Sequence, residues 1–221
     1  MNRIDTLRPL LEAPLLVTTP VNVRYLTGFE SSNAALLVDG DRATLFSDFR
    51  YAEAGRAVEG VEFVEVERAL IRGVAARVEG TLAFEKAHLT YAGFELLRDA
   101  GLELVPTAGV VEQLRAVKTD DELDVIRRAA EITNQAYERL AQERFVGRTE
   151  RELAFRFWTF MHEAGAHGEA FETHVASGPN GATPHAGTTD RVIERGETVI
   201  VDAGASLDGY ASDCTRTFAT G

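Results

Sequence analysis

The stretch VIVDAGASLDGYASDCTRTFATG, residues 199–221, decides the fold of the second half of the chain. Its centre, LDGY at 207–210, contains the Asp-Gly pair that is typical of a two-residue β-hairpin turn. A loop of that length pairs Asp202 with Thr215 on the opposite strand. Because side chains alternate along a strand, Asp213 then shares the face of Thr215. We predict that Asp202 and Asp213 lie on one face of the hairpin, whereas a loop of odd length would place them on opposite faces.

The surroundings of the two aspartates suggest a binding role. Neighbouring carboxylates repel each other unless a proton or a cation lies between them. A pair of divalent ions about 3.5–4 Å apart is the arrangement of binuclear hydrolases. The other residues predicted on this face are Ile200, Gly204, Ser206, Ala211, Thr215 and Thr217. Most of them are small and leave space beside the carboxylates. We predict a metal site at Asp202 and Asp213, with ordinary turn or surface positions as the alternative.

Composition narrows the class of protein. The chain has 221 residues, of which 45% are hydrophobic and 26% charged, as in ordinary globular proteins. Its net charge of −12 opposes binding to nucleic acid or to an anionic membrane surface. The single cysteine, Cys214, excludes an internal disulfide and suits a reducing compartment. Alternation turns this cysteine away from the face of Asp213, so we expect a buried role for it. The expectation is a cytoplasmic protein that binds neither nucleic acid nor membrane.

The first half of the chain alternates strand-like and helix-like runs, which predicts an α/β layer architecture. Six runs are predicted strands: 15–19, 34–39, 43–48, 61–66, 81–85 and 102–107. Three runs are predicted helices: 50–58, 68–79 and 91–101. DGDR at 39–42 predicts a tight hairpin turn between the second and third strands.

The pattern changes near residue 116, and we predict two domains, 1–115 and 116–221. Thr119 with Glu122, and Thr149 with Glu152, are capping-box pairs that predict two helix starts. Apolar or small residues then recur with helical spacing. They are Leu123, Ile126, Ala130, Thr133, Tyr137 and Leu140 in the first helix, and Leu153, Phe157, Phe160 and Ala164 in the second.

Several motifs together resemble one known family. They are VNVRYLTGF, FSDFRYAEA and VEQLRAVKTDDELDVIRRAAEI in the first half, and VASGPN with PHAGTTDRVIERGETVIVDAGASLDGYASDCTRTF in the second. This combination resembles the Xaa-Pro aminopeptidase/prolidase group of creatinase-like metallopeptidases, and it covers nearly the whole chain. The resemblance implies a mixed α/β (α+β) protein, with a creatinase-like N-terminal domain at 1–115. Residues 116–221 would form the first half of a pita-bread catalytic domain.

The resemblance also implies a reaction and a site. In this family two divalent metal ions, Mn²⁺, Zn²⁺ or Co²⁺, are held by two aspartates, one histidine and two glutamates. Asp202 and Asp213 match the aspartates, and His185 matches a histidine that contacts the substrate. The substrate would be a short proline-containing peptide, hydrolysed at its Xaa-Pro bond by a metal-activated hydroxide in a homodimer. The remaining ligands belong to a second half of the catalytic domain, so we expect these 221 residues alone to be inactive and to bind metal weakly.

Two other functions remain open. One is a metal-free amidinohydrolase of the creatinase type, which usually lacks the aspartate pair. The other is a non-catalytic pita-bread module that binds peptides. The remaining histidines, His88, His162, His167 and His174, are expected to be structural or solvated, although His174 could reach the cleft. Glu169, Glu172 and His174 could substitute for missing ligands, but their spacing matches no ligand pattern.

Overall fold

The computed structural model describes residues 2–183 and 187–221. The chain forms two compact units, Met1–Val117 and Lys118–Gly221. The boundary expected after residue 115 would fall inside a helix, Val110–Ala116, which belongs wholly to the first unit. No helix in the described ranges combines the length and the apolar character that a bilayer crossing requires.

The first unit is built on a mixed six-stranded sheet in the order β4-β3-β2-β1-β5-β6. The strands are β1 (Leu15–Val17), β2 (Ala34–Val38), β3 (Ala43–Ser47), β4 (Glu62–Glu65), β5 (Thr81–Glu85) and β6 (Glu103–Thr107). β2 pairs antiparallel with β1 and β3, and the other neighbours pair in parallel. The predicted hairpin at 39–42 is confirmed: Asp39 Oδ1 accepts hydrogen bonds from the amides of Asp41 and Arg42.

Helices cover both faces of this sheet. They are α1 (Arg3–Leu7), α2 (Pro20–Thr27), α3 (Ala52–Arg56), α4 (Leu70–Ala75), α5 (Tyr91–Asp99) and α6 (Val110–Ala116). One hydrophobic core packs residues of β1, β2, β3 and β5 against side chains of α1, α2 and α6. The helix residues in this core include Ile4, Leu7, Val23, Leu26 and Val111. The other joins alternate residues of the same strands to α4 and α5 through Val74 and Leu97. The α/β architecture predicted for this half is therefore confirmed.

Some predicted boundaries in this unit were wrong. The strand predicted at 15–19 ends at Val17, because Thr19 is the N-cap of α2 and Pro20 is its first residue. Proline has a fixed φ and no N–H, so it suits the first position of a helix. The helix predicted at 68–79 is only Leu70–Ala75, and α1, α2 and α6 were not predicted. These helices are short, and two turns give little periodic signal.

Two long helices begin the second unit, as predicted. They are α7 (Asp120–Leu140) and α8 (Glu150–Glu163), and both capping boxes are present. The buried face of α8 contains Leu153, Phe157 and Phe160, as predicted. The early part of the stripe predicted for α7 was wrong. Leu123, Ile126 and Ala130 are only half-buried, while Ala129, Ile132 and Ala136 lie in the core.

Six strands form two three-stranded sheets in the orders β12-β9-β8 and β11-β10-β7. They are β7 (Gly168–Glu169), β8 (His174–Ser177), β9 (Thr198–Ala203), β10 (Ala205–Leu207), β11 (Tyr210–Ala211) and β12 (Cys214–Ala219). The predicted turn is confirmed, since Leu207 pairs with Tyr210 and Asp202 pairs with Thr215. The hairpin of residues 198–219 thus runs from one sheet into the other without a change of register.

The hairpin passes between the sheets at Gly204, a break that the sequence did not reveal. A Cβ atom at Gly204 would lie 1.9 Å from the carbonyl oxygen of Ser212, so only glycine allows this approach. A buried cluster of hydrogen bonds lies next to Gly204 and stabilises this passage between the sheets. The amide of Ala205 donates to the hydroxyls of Thr133 and Ser212, and these hydroxyls are 2.7 Å apart.

Candidate active site

Asp202 is the central residue of a row of three across the second unit. In the strand register it lies opposite His174 of β8 on one side and Thr215 of β12 on the other. The hydroxyl of Thr215 donates a 2.6 Å hydrogen bond to Oδ1 of Asp202. The flanking residues Val201 and Ala203 point the other way and are fully buried in the core. The side chain of Asp202 therefore lies on the open face of the sheet, where it can meet a ligand.

Asp213 follows the same register. It lies in the chain between β11 and β12. The strand pairing on both sides places it opposite Gly204, because Ala211 pairs with Ser206 and Cys214 pairs with Ala203. Ser212, its neighbour in the chain, is buried, whereas Asp213 is exposed. This alternation is what the prediction of a shared face with Asp202 requires.

A cavity of about 540 Å³ opens beside Asp202. Its polar lining includes Glu172, His174 and Thr215, and its apolar lining comes from side chains such as Phe171, Ala176 and Ile200. Thr183 and Gly187 also line it. These two residues flank positions 184–186 in the sequence, and His185, the predicted substrate-contacting histidine, lies outside the described residues. The cavity thus combines carboxylate, imidazole, hydroxyl and apolar groups.

Tyr137 of α7 supports the strands that carry the aspartates from the core side. Its hydroxyl lies 2.8 Å from the carbonyl oxygen of Val201 and 2.6 Å from that of Cys214, and its single proton is shared between them. Val201 and Cys214 are the chain neighbours of Asp202 and Asp213. Burial, with a smaller effect from nearby groups including both aspartates, raises the pKa of Tyr137 above its ordinary value. The phenol therefore stays protonated and remains a donor.

Among the histidines that the structure describes, His174 differs from the other three. The sequence favoured a structural role for it, but His174 pairs with Asp202 in the strand register and lines the cavity. The others contact residues outside the cavity lining: His88 is 3.1 Å from Thr18, His162 stacks on Trp158, and His167 lies beside Asp208. Sequence alone could not find this role, because it depends on which strand pairs with the second edge of β9.

The ligand chemistry of the aspartates suits a divalent ion but is incomplete. Carboxylate oxygens with an imidazole nitrogen are ligands for Mn²⁺, Zn²⁺ and Co²⁺. Within residues 2–183 and 187–221, no three His, Cys, Asp or Glu side chains lie close enough together to hold a metal ion. Glu169, considered as a substitute ligand, instead accepts a 2.6 Å hydrogen bond from the hydroxyl of Thr173. The described residues therefore form no complete metal site, and metal binding by Asp202 and Asp213 stays a prediction.

Comparison with known families identifies the first unit. Residues 3–117, more than half of the chain, match the creatinase/prolidase N-terminal domain. The chain belongs to the creatinase/prolidase family. Residues 124–221, which contain both aspartates and the cavity, match the metallopeptidase family M24. The family resemblance found in the sequence motifs is therefore confirmed.

Individual members of the creatinase/prolidase family agree with this assignment. An uncharacterised peptidase of Bacillus subtilis is 37% identical and is matched over 94% of this chain and 61% of its own length. An Xaa-Pro dipeptidase of Pyrococcus furiosus is 32% identical, over 94% of this chain and 60% of its own length. The structure of an Xaa-Pro dipeptidase from Bacillus anthracis superposes with a TM-score of 0.92 at 35% identity, covering 98% of this chain and 64% of that one.

The structural match confirms the predicted fold class, a creatinase-like α/β domain followed by the first part of a pita-bread domain. The chain nevertheless spans less than two thirds of the length of each of these three relatives.

Proposed function

We propose that the chain is part of a metal-dependent peptidase that hydrolyses the Xaa-Pro bond of dipeptides or short peptides. One observation supports the proposal: Asp202 and Asp213 belong to one continuous hairpin register, and Asp202 lines a cavity in the M24 segment. Relatives named Xaa-Pro dipeptidase support the choice of substrate. The proposed activity is that of a protein as long as these relatives, of whose length this chain spans less than two thirds.

Asp202 and Asp213 would hold two divalent ions together with ligands from the rest of the protein. When bound, such ions polarise the carbonyl group and lower the pKa of the attacking water. The Thr215 hydroxyl occupies one lone pair of Asp202 Oδ1 and so fixes the orientation of this carboxylate. Metal analysis of the extended protein distinguishes Mn²⁺, Zn²⁺ and Co²⁺.

The cavity residues suit a short peptide that contains proline. An Xaa-Pro bond has no N–H, so the protein must recognise it through its carbonyl oxygen and the proline ring. His174 is placed to donate a hydrogen bond to a carbonyl oxygen, and Ile200 and Ala176 offer an apolar surface for the ring. Glu172 adds a negative charge that favours a peptide amino terminus. His185 would steady the oxygen that becomes negative during attack, the role that the resemblance gives it.

We further propose that residues 1–221 alone are inactive and bind divalent metal weakly. The aspartates supply only two of the ligands that the family resemblance implies. The resemblance assigns the general base to another of those ligands, a glutamate that matches no position in residues 1–221. Loss of a general base costs on the order of 10²–10⁴ in rate. We also propose that the complete protein works as a homodimer in the cytoplasm, which sedimentation and fractionation would test.

Metal analysis combined with an Xaa-Pro dipeptide assay tests the proposal. Both are measured on residues 1–221 and on a protein extended beyond residue 221 as in its relatives. The extended protein should bind two ions and release proline, and the double variant Asp202→Asn with Asp213→Asn should lose both properties. Turnover of a guanidino compound without metal would instead support the amidinohydrolase. Peptide binding without turnover would support the non-catalytic module.

A further inference from the structure

The carboxylate of Glu150 is buried and fully hydrogen-bonded. Glu150 is the first residue of α8, and its side chain has 0% exposure to solvent. Oε1 accepts from the amide of Ser177 at 2.7 Å and from its hydroxyl at 2.8 Å. Oε2 accepts from the amide of Thr189 at 3.0 Å and from its hydroxyl at 2.6 Å. The side-chain amide of Asn180 donates to both oxygens. Such a set of donors requires an ionised acceptor.

These donors lie at the two ends of one segment. Ser177 and Asn180 stand at its start, and Thr189 stands at its end. Between them, Gly181, Thr183, Gly187 and Thr188 line the cavity beside Asp202. Glu150 itself does not line the cavity. One buried side chain therefore fastens both ends of a cavity wall without touching what the cavity would contain.

Neighbouring contacts strengthen the same attachment. The hydroxyl of Thr188 donates to the carbonyl oxygen of Thr173 and accepts from the amide of Val175, which ties the end of the segment to β8. Arg191 donates to the hydroxyl of Ser177 and forms an ion pair with Glu197. The hydroxyl of Ser177 thus links the charge of Arg191 to the carboxylate of Glu150.

We propose that Glu150 is a positioning residue that fixes the described parts of this cavity wall, residues 178–183 and 187–188, against Asp202. The catalytic part of this inference rests on the proposed function, because these residues line the cavity that is proposed to take the substrate. Small displacements of such residues are costly, since a shift of about 1 Å can reduce the rate roughly 100-fold.

The carboxylate is not replaceable by a similar side chain. Every partner of Glu150 is a donor, and glutamine would present an NH₂ group to one of the two ends. Burial opposes the charge of Glu150, but the hydrogen bonds from Thr189, Ser177 and Asn180 outweigh it and lower the pKa of the group. Glu150→Gln should therefore release one end of the segment while α8 remains formed.

Glu152 offers a matched control on the same helix. Its carboxylate is part of the capping box, where it accepts from the amide of Thr149 at the exposed start of α8. Glu152→Gln removes the same charge from the same turn but touches neither end of the cavity wall. A merely structural effect on α8 would appear in both variants, whereas positioning of the wall would be lost only in Glu150→Gln.

Two measurements test the proposal. Hydrogen exchange of residues 1–221 should be faster by roughly 10-fold or more at residues 177–190 in Glu150→Gln, with α7 unchanged, and Glu152→Gln should match the wild type. In the extended protein, Glu150→Gln should lower kcat on an Xaa-Pro dipeptide roughly 10- to 100-fold with unchanged metal content. Asn180→Ala removes only a side-chain donor, so it should change the exchange rate and kcat in the same directions as Glu150→Gln but by smaller factors. This variant replaces Glu150→Gln in both measurements if Glu150→Gln fails to fold.

The outcomes separate this proposal from the proposed function. Unchanged exchange at residues 177–190, or full turnover despite faster exchange, would overturn the positioning role. Loss of bound metal in Glu150→Gln would overturn it as well, because Glu150 would then act on the metal site. If the wild-type extended protein fails to cleave Xaa-Pro peptides, the proposed function fails, and the exchange measurement still decides whether Glu150 holds the wall.

Discussion

The hydroxyl of Thr215 donates a 2.6 Å hydrogen bond to Asp202, the residue that it faces across the β9–β12 pair. Partners of this kind orient a metal-binding carboxylate, and their loss typically costs 10- to 100-fold in metal affinity or activity. We predict a loss of about that size in Mn²⁺ affinity for Thr215→Val in the extended protein, measured by calorimetry. Thr215→Ser keeps the hydroxyl and should bind as the wild type does. Equal affinity in both variants would show that this hydrogen bond does not support the site.

Tyr137→Phe should destabilise the second unit. The hydroxyl is the donor shared by the carbonyl oxygens of Val201 and Cys214, and the rest of the ring keeps its packing against Phe157. Loss of one such hydrogen bond lowers the free energy of unfolding by about 1 kcal/mol. Urea unfolding followed by the fluorescence of Trp158, the single tryptophan, would measure it. An unchanged midpoint would indicate that the hydroxyl contributes nothing to stability.

The same variant has a defined pH dependence. The pKa of Tyr137 is raised in the folded protein, mainly by burial, whereas an unfolded tyrosine titrates near 10. The stabilisation from this raised pKa is complete below pH 10 and is lost as the pH rises from there toward the folded pKa. The stability difference between the wild type and Tyr137→Phe should therefore shrink above pH 10. A difference that stays constant or grows in this range would contradict the burial of the phenol.

Gly204→Ala should disrupt the passage of the hairpin between the two sheets. Its Cβ would lie 1.9 Å from the carbonyl oxygen of Ser212, and backbone atoms cannot move aside without breaking the Ala205 hydrogen bonds. Forced overpacking of this kind costs about 1–3 kcal/mol and sometimes more. Gly168→Ala in β7, where nothing lies within 4 Å of the added atom, is the control. Equal unfolding midpoints for the two variants would refute the close-approach argument.

Local signals predicted a large part of this fold and site. The Asp-Gly turn set the register of Asp202 with Thr215, and both capping boxes marked where α7 and α8 begin. These features depend on a few consecutive residues, so a single sequence contains them. The prediction that Asp202 and Asp213 share one face rests on the same local signal.

Contacts between distant segments could not be predicted in this way. His174 faces Asp202 only because β8 pairs with the second edge of β9, and Glu150 meets donors 27 and 39 residues away at Ser177 and Thr189. The break at Gly204 depends on the carbonyl of Ser212 after the turn. No local pattern specifies which of several possible partners a strand or a buried carboxylate will find.

His185→Ala in the extended protein tests the residue that only the family resemblance identifies. If His185 steadies the substrate oxygen during attack, the variant should have a kcat lower by roughly 10²-fold, because loss of one such donor costs about 10²–10³ in rate. Its metal content should equal that of the wild type, since a substrate contact is not a ligand. His167→Ala, an exposed histidine beside Asp208, is the matched control and should keep full activity. Loss of metal from His185→Ala would instead make this histidine a ligand, and unchanged kcat would remove it from the reaction.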